Sequence, residues 1–181
     1  MCCKPRLVWH YDHESPSTTL DVLCDTDFAG CPRTRRSTSG GVAVLGSHVV
    51  KAWSTTQSIV ALSSAEAELT GLCKGGSHGL GLQSLCKDLG LHVSLRLHSD
   101  STAAIGVCRR RGLGRIRHLA VADLWLQDKV RNNELSVHKV AGKDNPADAL
   151  TKFVDAATLQ KALARMRIEP EEGRASTAAQ I

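Results

Sequence analysis

From Thr19 onward, apolar Leu20, Val22 and Cys24 alternate with Asp21, Leu23 and Asp25, the two-residue period of a half-buried strand that ends at Asp25. A polar connection, CPRTRRSTSGG, follows it. Val42 to Leu45 and Val49 to Ser54 are β-rich runs split by Gly46-Ser47, which predicts a hairpin of a second and a third strand. The period then changes. Ser63-Ser64-Ala65-Glu66 is a capping box, after which Leu69, Leu72 and Cys73 form an apolar helical stripe. Leu82, Leu85 and Leu89 resume that stripe before Gly90 stops it, but Gly75, Gly76, Gly79 and Gly81 lie between. Each glycine costs about 0.8 to 1.0 kcal/mol relative to alanine inside a helix, so the composition predicts a break or a soft stretch there.

Val93 to Ser99 reads as a fourth strand, and Asp100-Ser101 caps a helix running through Ala103, Ala104, Ile105 and Val107. Leu119 to Val130 is a further helical run and Leu135 to Val140 a fifth strand. Asn145-Pro146 opens a last helix, with proline at its first position. The order β-β-β-α-β-α-β-α predicts a mixed α/β fold, a five-stranded mixed sheet with helices on its faces. Residues 1–18 lack sustained periodicity and read as a linker or weakly paired arm; 19–167 form one domain; from Ile168 to residue 181 the chain is polar and reads as a disordered tail.

The length of 181 residues supports a core without disulfides. With only 3% aromatic residues, a stacking platform for bases is disfavoured and recognition of a backbone preferred. A net charge of +5 is compatible with a polyanionic partner and equally with an ordinary surface. The seven cysteines are odd in number and include no C-x-x-C pair, so a disulfide framework or zinc site is not expected and an intracellular compartment, cytoplasm or nucleus, is. No apolar run approaches the roughly 18 residues of a membrane helix, and no membrane partner is expected.

Candidate chemistry lies in Asp25, Glu68, Asp100 and Asp148, which sit at a strand end, one turn into a helix, at a strand-to-helix junction and in the first turn of the last helix. Folding that brings them together creates the hard, oxygen-rich donor set that suits Mg²⁺, and points to phosphodiester chemistry. Each also has a plainer explanation: Asp25 merely ends a strand, Asp100 is an N-cap, Asp148 favours the helix dipole and Glu68 is a solvated helix residue. Asp27 returns to the face of Asp25 if the strand continues, although Phe28-Ala29-Gly30 argues against that. Glu66 is the capping partner of Ser63 and points about 200° away from Glu68.

The segments DTDFAGCPRTRRSTSGG, WSTTQSIVALSSAEAEL, LHSDSTAAIGV, RIRHLAVADLWLQDKV and DNPADALTK occur in this order and spacing. Together they resemble the ribonuclease H domain of copia-type LTR retrotransposon Pol polyproteins, over roughly residues 20–166. The resemblance implies the ribonuclease H-like fold and metal-dependent endonuclease hydrolysis of the RNA strand of RNA–DNA hybrids. It makes Asp25, Glu68, Asp100 and Asp148 both the catalytic residues and the ligands of two Mg²⁺ ions, for which Mn²⁺ can substitute. A reverse transcriptase domain of the same polyprotein is an implied partner. Candidate phosphate contacts are Arg33, Arg35 and Arg36 after the first strand, and Arg109, Arg110, Arg111, Arg115 and Arg117 before the third helical run, although a charge run is more often simply solvated.

Two departures from the family stand out. The stretch VAGKDNPAD holds no histidine before the last Asp, where many cellular relatives carry one, although the copia-type pattern generally lacks it too, and His138 nearby reads as a strand residue. The glycine cluster, and Ala120 where relatives commonly carry Asp, suggest a decaying element copy. Two readings therefore stand at this stage: a working ribonuclease H derived from or part of a retrotransposon polyprotein, and a catalytically silent nucleic-acid-binding relic of the same fold.

Overall fold

The computed structural model describes residues 5–112 and 121–174. Its elements are β1 (Pro5–Trp9), β2 (Thr19–Asp27), β3 (Thr38–Leu45), β4 (His48–Thr56), α1 (Ser64–Asp88), β5 (Ser94–Ser99), α2 (Thr102–Arg109), α3 (Val121–Arg131), β6 (Ser136–Lys139), α4 (Ala156–Arg165) and β7 (Ile168–Arg174). Five strands form one mixed sheet in the order β4-β3-β2-β5-β6. β3 runs antiparallel to β2 and β4, whereas β5 is parallel to β2 and β6 parallel to β5. The fold class expected from the periodicity is therefore the one observed.

The alternation in β2 sorts its two faces. Leu20, Val22 and Cys24 join Leu95 and Leu97 of β5 under α1, α2 and α3, in a core that includes Leu69, Leu72, Ile105 and Leu126. On the opposite face Val42 and Val49 pack against Ala147, Ala162, Met166 and Ile168, so α4 and the segment before it cover the β3–β4 side. Burial of each large aliphatic side chain contributes about 1.5 to 3 kcal/mol, enough for a layered core held without disulfides. Cys24, Cys73, Cys86 and Cys108 are buried and take part in no disulfide among the described residues.

α1 is continuous through the glycines where a break was predicted. The reason lies in tertiary packing rather than propensity. Gly71, Gly75 and Gly79 recur every four residues and place bare backbone against the sheet. A Cβ at Gly75 would lie 2.3 Å from Cys24 Sγ, one at Gly79 2.6 Å from Leu95 Cδ1, and one at Gly71 2.4 Å from Thr26 Oγ1. A Cβ at Gly76 would lie 3.0 Å from Leu126 Cδ1 of α3. Only Gly81 has open space around it in this helix, with nothing within 4 Å. The glycines bring α1 close to β2, and the reading of them as decay is overturned.

Strands extend beyond their predicted limits at the same end of the sheet. β2 continues through Asp27, because Thr26 and Asp27 still pair with Ser39 and Thr38. β3 begins at Thr38 inside the stretch taken as a connection; its Gly41 lies under Trp53, where a Cβ would come within 2.1 Å of Cζ2. The last helix is also split. Asn145 caps a short 3₁₀ segment, Pro146–Leu150, and α4 starts separately after Asp155, whose carboxylate accepts from Thr158 N.

The segments 5–9 and 168–174 are better ordered than their composition suggests, while the rest of the expected tail, 175–181, lies outside the described residues. β1 pairs antiparallel with β7, so the polar tail expected from Ile168 is a strand as far as Arg174. The arm between β1 and β2 is tied down as well. Tyr11 OH donates to Val49 O at 2.9 Å, and Glu14 accepts from Ser47 N at 2.9 Å and Ser47 Oγ at 2.7 Å across the β3–β4 hairpin.

Candidate active site

β2, α1 and β5 each deliver one carboxylate to the same end of the sheet. Oxygen atoms of Asp25, Glu68 and Asp100 lie within 4.8 Å of one another. Asp25 is 3% exposed, near the end of β2, and the Thr151 hydroxyl donates to its Oδ2. Glu68 sits one turn into α1, after a start fixed by Ser63 Oγ accepting from Glu66 N at 3.2 Å. Asp100 directly follows β5.

Those contacts separate the plainer explanations from the chemical one. The cap of α2 is Ser101, whose Oγ accepts from Ala104 N at 3.2 Å, so the Asp100 carboxylate is not spent on capping. Its Oδ2 is 3.0 Å from the point where Gly142 would carry a Cβ, a close approach of the carboxylate to this backbone. Glu66 accepts from Leu62 N at 2.8 Å and is the structural carboxylate of the helix start. Asp27 turns over the following bend, its Oδ2 only 1.6 Å from where a Gly30 Cβ would stand, and it is not among the three clustered carboxylates.

Asp148 also stands outside the 4.8 Å group, although its charge reaches Asp25. It is carried by the 3₁₀ segment, which Asn145 ties to β2 by donating from Nδ2 to Cys24 O at 2.8 Å. Its carboxylate pairs with Lys152 Nζ at 2.6 Å.

Like charges this close, and partly out of water, cannot all ionise comfortably. Burial, followed by the charges of Asp25 and Asp100, pushes the Glu68 carboxyl up to about 8. Burial raises Asp25 as well; the hydrogen bond from Thr151 opposes this, and the charges of Asp148 and Asp100 add to it. Lys152 lowers both. The donor set is three carboxylates with no Cys or His among them, which fits a hard divalent cation such as Mg²⁺.

The arginines fall outside this cluster. Arg33, Arg35 and Arg36 are exposed on the loop that leaves the carboxylate end of β2. Arg109 ends α2 and donates from Nη2 to Val137 O at 2.6 Å. With Arg110 and Arg111 it stands at the far end of α2 from Asp100, about 12 Å along the helix. Arg115 and Arg117 lie outside the described residues, as does Ala120. His138 is a strand residue, stacked on His98 with ring centroids 5.5 Å apart, and does not enter the cluster.

The sequence reading missed Asn145, Thr151 and Lys152 as parts of the site. One signal was available for Lys152: it follows Asp148 by four residues, the spacing of an intrahelical ion pair.

No family model matches the chain. It is 31% identical over 151 residues to a retrovirus-related Pol polyprotein from transposon TNT 1-94 of Nicotiana tabacum, covering 76% of this chain and 11% of that protein. It is 28% identical over 145 residues to the corresponding polyprotein of transposon RE1 of Arabidopsis thaliana, covering 78% of this chain and 10% of the relative. The chain thus spans about a tenth of the length of these curated relatives. Among solved structures it resembles LC11-RNase H1, isolated from compost, with a TM-score of 0.51 at 15% identity over 81% of this chain and 99% of that one. The same enzyme in complex with an RNA/DNA hybrid matches with a TM-score of 0.50 at 15% identity, over 80% of this chain and 99% of that one.

Proposed function

We propose, from the premise that this chain belongs with the retrovirus-related Pol polyproteins of transposons and has the ribonuclease H-like fold, that it is a metal-dependent endonuclease. Its substrate is the RNA strand of RNA–DNA hybrids. The observation that carries this reading is the convergence of Asp25, Glu68 and Asp100 within 4.8 Å. Three carboxyl groups gathered this closely, with only the nearby Lys152 ammonium to offset them, favour the entry of a cation.

Asp25, Glu68 and Asp100 would hold the metal, and Asp148 would supply a further carboxylate from the edge. When bound, two divalent ions at such a site lower the pKa of an attacking water and stabilise the leaving oxygen. The chain itself supplies orientation. Thr151 fixes the rotamer of Asp25, and Asn145 locks the segment bearing Asp148 and Thr151 to β2. Because burial and the neighbouring carboxylates hold the Glu68 carboxyl at about 8, it would have to lose its proton to act as a ligand, and cation affinity would rise with pH up to about that value.

The copia lineage implied by the sequence strings, a reverse transcriptase domain as partner, and Mg²⁺ as the ion belong to the same proposal. The glycine-rich helix no longer favours a silent relic, since those glycines are packed. The decisive experiment is incubation of the purified chain with a labelled RNA–DNA hybrid. Cleavage of the RNA strand in Mg²⁺ or Mn²⁺, absent in excess EDTA and absent on duplex DNA, is the expected result. Equal cleavage in EDTA, or none in either ion, overturns the proposal.

A further inference from the structure

A second polar feature lies on the same rim of the sheet, on the side toward β4. Thr26, Ser39 and Thr55 are in register across β2, β3 and β4, which places hydroxyls in a row at the strand ends. Between that row and α1 opens a pocket of about 440 Å³, lined by Ser39, Thr55, Gln57, Ser58, Thr70 and Lys74. Here the row is hydroxylic, and among the described residues no carboxylate lines the cavity.

The wall is rigid where it needs to be. Gln57, itself 6% exposed, donates from Nε2 to Ser39 Oγ at 2.8 Å and to Ala67 O at 2.9 Å, bracing β3 against α1. Because Ser39 Oγ accepts from Gln57, its own proton is left to donate toward the pocket. Thr55 and Ser58 are exposed hydroxyls, and among the described residues Lys74 forms no ion pair. One cation surrounded by neutral donors suits a single phosphate group. Thr70 lies two residues beyond Glu68 on α1, so this helix presents the carboxylate cluster to one side and the pocket to the other.

We propose that this pocket receives a backbone phosphate of the bound nucleic acid, on the β4 side of the reacting group. Lys74 supplies the charge, and Thr55, Ser58 and Ser39 donate to the phosphate oxygens. The pocket would thus set the register of the strand over the carboxylates. The inference rests on the nuclease reading for its ligand, and its test reads binding rather than cleavage.

The experiment measures hybrid affinity of the full chain across a salt series, with Ca²⁺ in place of Mg²⁺ to hold cleavage back. Lys74→Gln should weaken binding and reduce the log-log salt slope by about 0.7 to 0.9, the value of one neutralised phosphate. Lys87→Gln, at the far end of the same helix, should change neither. Thr55→Val, at an exposed strand position, should weaken binding about two- to tenfold with the slope unchanged. An unaltered slope for Lys74→Gln overturns the pocket, as does a Thr55→Val affinity equal to wild type, which would reduce Lys74 to diffuse surface charge. Absence of any hybrid binding by wild type also overturns it. If the variants behave as expected but Mg²⁺ yields no cleavage, the pocket stands and the nuclease reading falls.

Discussion

Lys152 Nζ lies 2.6 Å from an oxygen of Asp148, and its positive charge lowers the carboxyls of Asp25 and Glu68 as well. A half-exposed lysine is thus the counter-charge of an acidic cluster that reads as a cation site. Lys152→Met should lower stability in the absence of metal by about 0.5 to 1 kcal/mol, the range of a partly exposed ion pair. It should raise Mg²⁺ affinity about two- to fivefold, because the ion no longer competes with the ammonium. Calorimetric titration and denaturant midpoints with and without Mg²⁺ measure the two effects. Metal affinity equal to wild type would remove Lys152 from the site.

Asp25→Asn and Asp100→Asn keep shape and remove charge. Each should cost on the order of a thousandfold in hybrid cleavage, equivalent to several kcal/mol of lost charge stabilisation. Circular dichroism should be unchanged. Asp148→Asn should cost less, since its carboxylate stands outside the 4.8 Å group. Asp27→Asn should retain activity; its inactivation would mean that the wrong residue of β2 has been assigned to the cluster.

The glycines of α1 give opposite expectations within one helix. Gly81→Ala, in open space, should stabilise by up to about 1 kcal/mol. Gly75→Ala should destabilise by about 1 to 2 kcal/mol, because overpacking against buried Cys24 outweighs the gain in helix propensity. Urea midpoints of the two variants decide it, and equal stabilisation by both would show that α1 can lift from the sheet at little cost.

Acid should unfold the protein partly through Asp21. Burial pushes its carboxyl up, but hydrogen bonds from His98 and Arg96 outweigh burial and hold it at about 2, against 3.8 ordinarily. A depressed carboxyl contributes stability that is complete above its unfolded value and is lost as pH falls through the folded one. The window is therefore between about pH 4 and pH 2. Denaturant midpoints should fall through it in wild type and fall less steeply in Asp21→Asn; parallel curves would assign the loss to other groups.

Hybrid binding should also depend on the arginines beside the carboxylate rim. Charge reversal at Arg35 and Arg36, on the loop leaving β2, should flatten the salt dependence more than reversal at Arg110 and Arg111, at the distant end of α2. Equal effects of the two pairs on the slope would place the strand along a different path.

Much of this was legible from local signals. The period of Leu20, Val22 and Cys24 located β2 and placed Asp25 near its end, two residues short of where the strand stops, and the capping box of Ser63 and Glu66 set the phase of α1 and hence Glu68. Such signals span a few residues. The contact of Thr151 with Asp25 joins positions separated by 126 residues, and no periodicity encodes it. The glycines were misread for the same reason: propensity describes an isolated helix, whereas Gly75 is set by the Cys24 thiol beneath it. The start of β3 is not legible in the sequence because Ser39, Gly40 and Gly41 carry weak strand preference, yet close packing under Trp53 and against Thr151 makes small residues the ones that fit there.

Pairing of β1 with β7 sets Pro5 opposite Arg174. The described chain therefore enters and leaves the fold side by side, about one strand spacing of 4.8 Å apart. Mechanical tension applied through residues on either flank would peel this ribbon open rung by rung before it reached the five-stranded sheet. The same proximity allows the order of the chain to be permuted: joining Pro5 to Arg174 through a short linker and opening the Gly46-Ser47 turn should preserve every carboxylate in place.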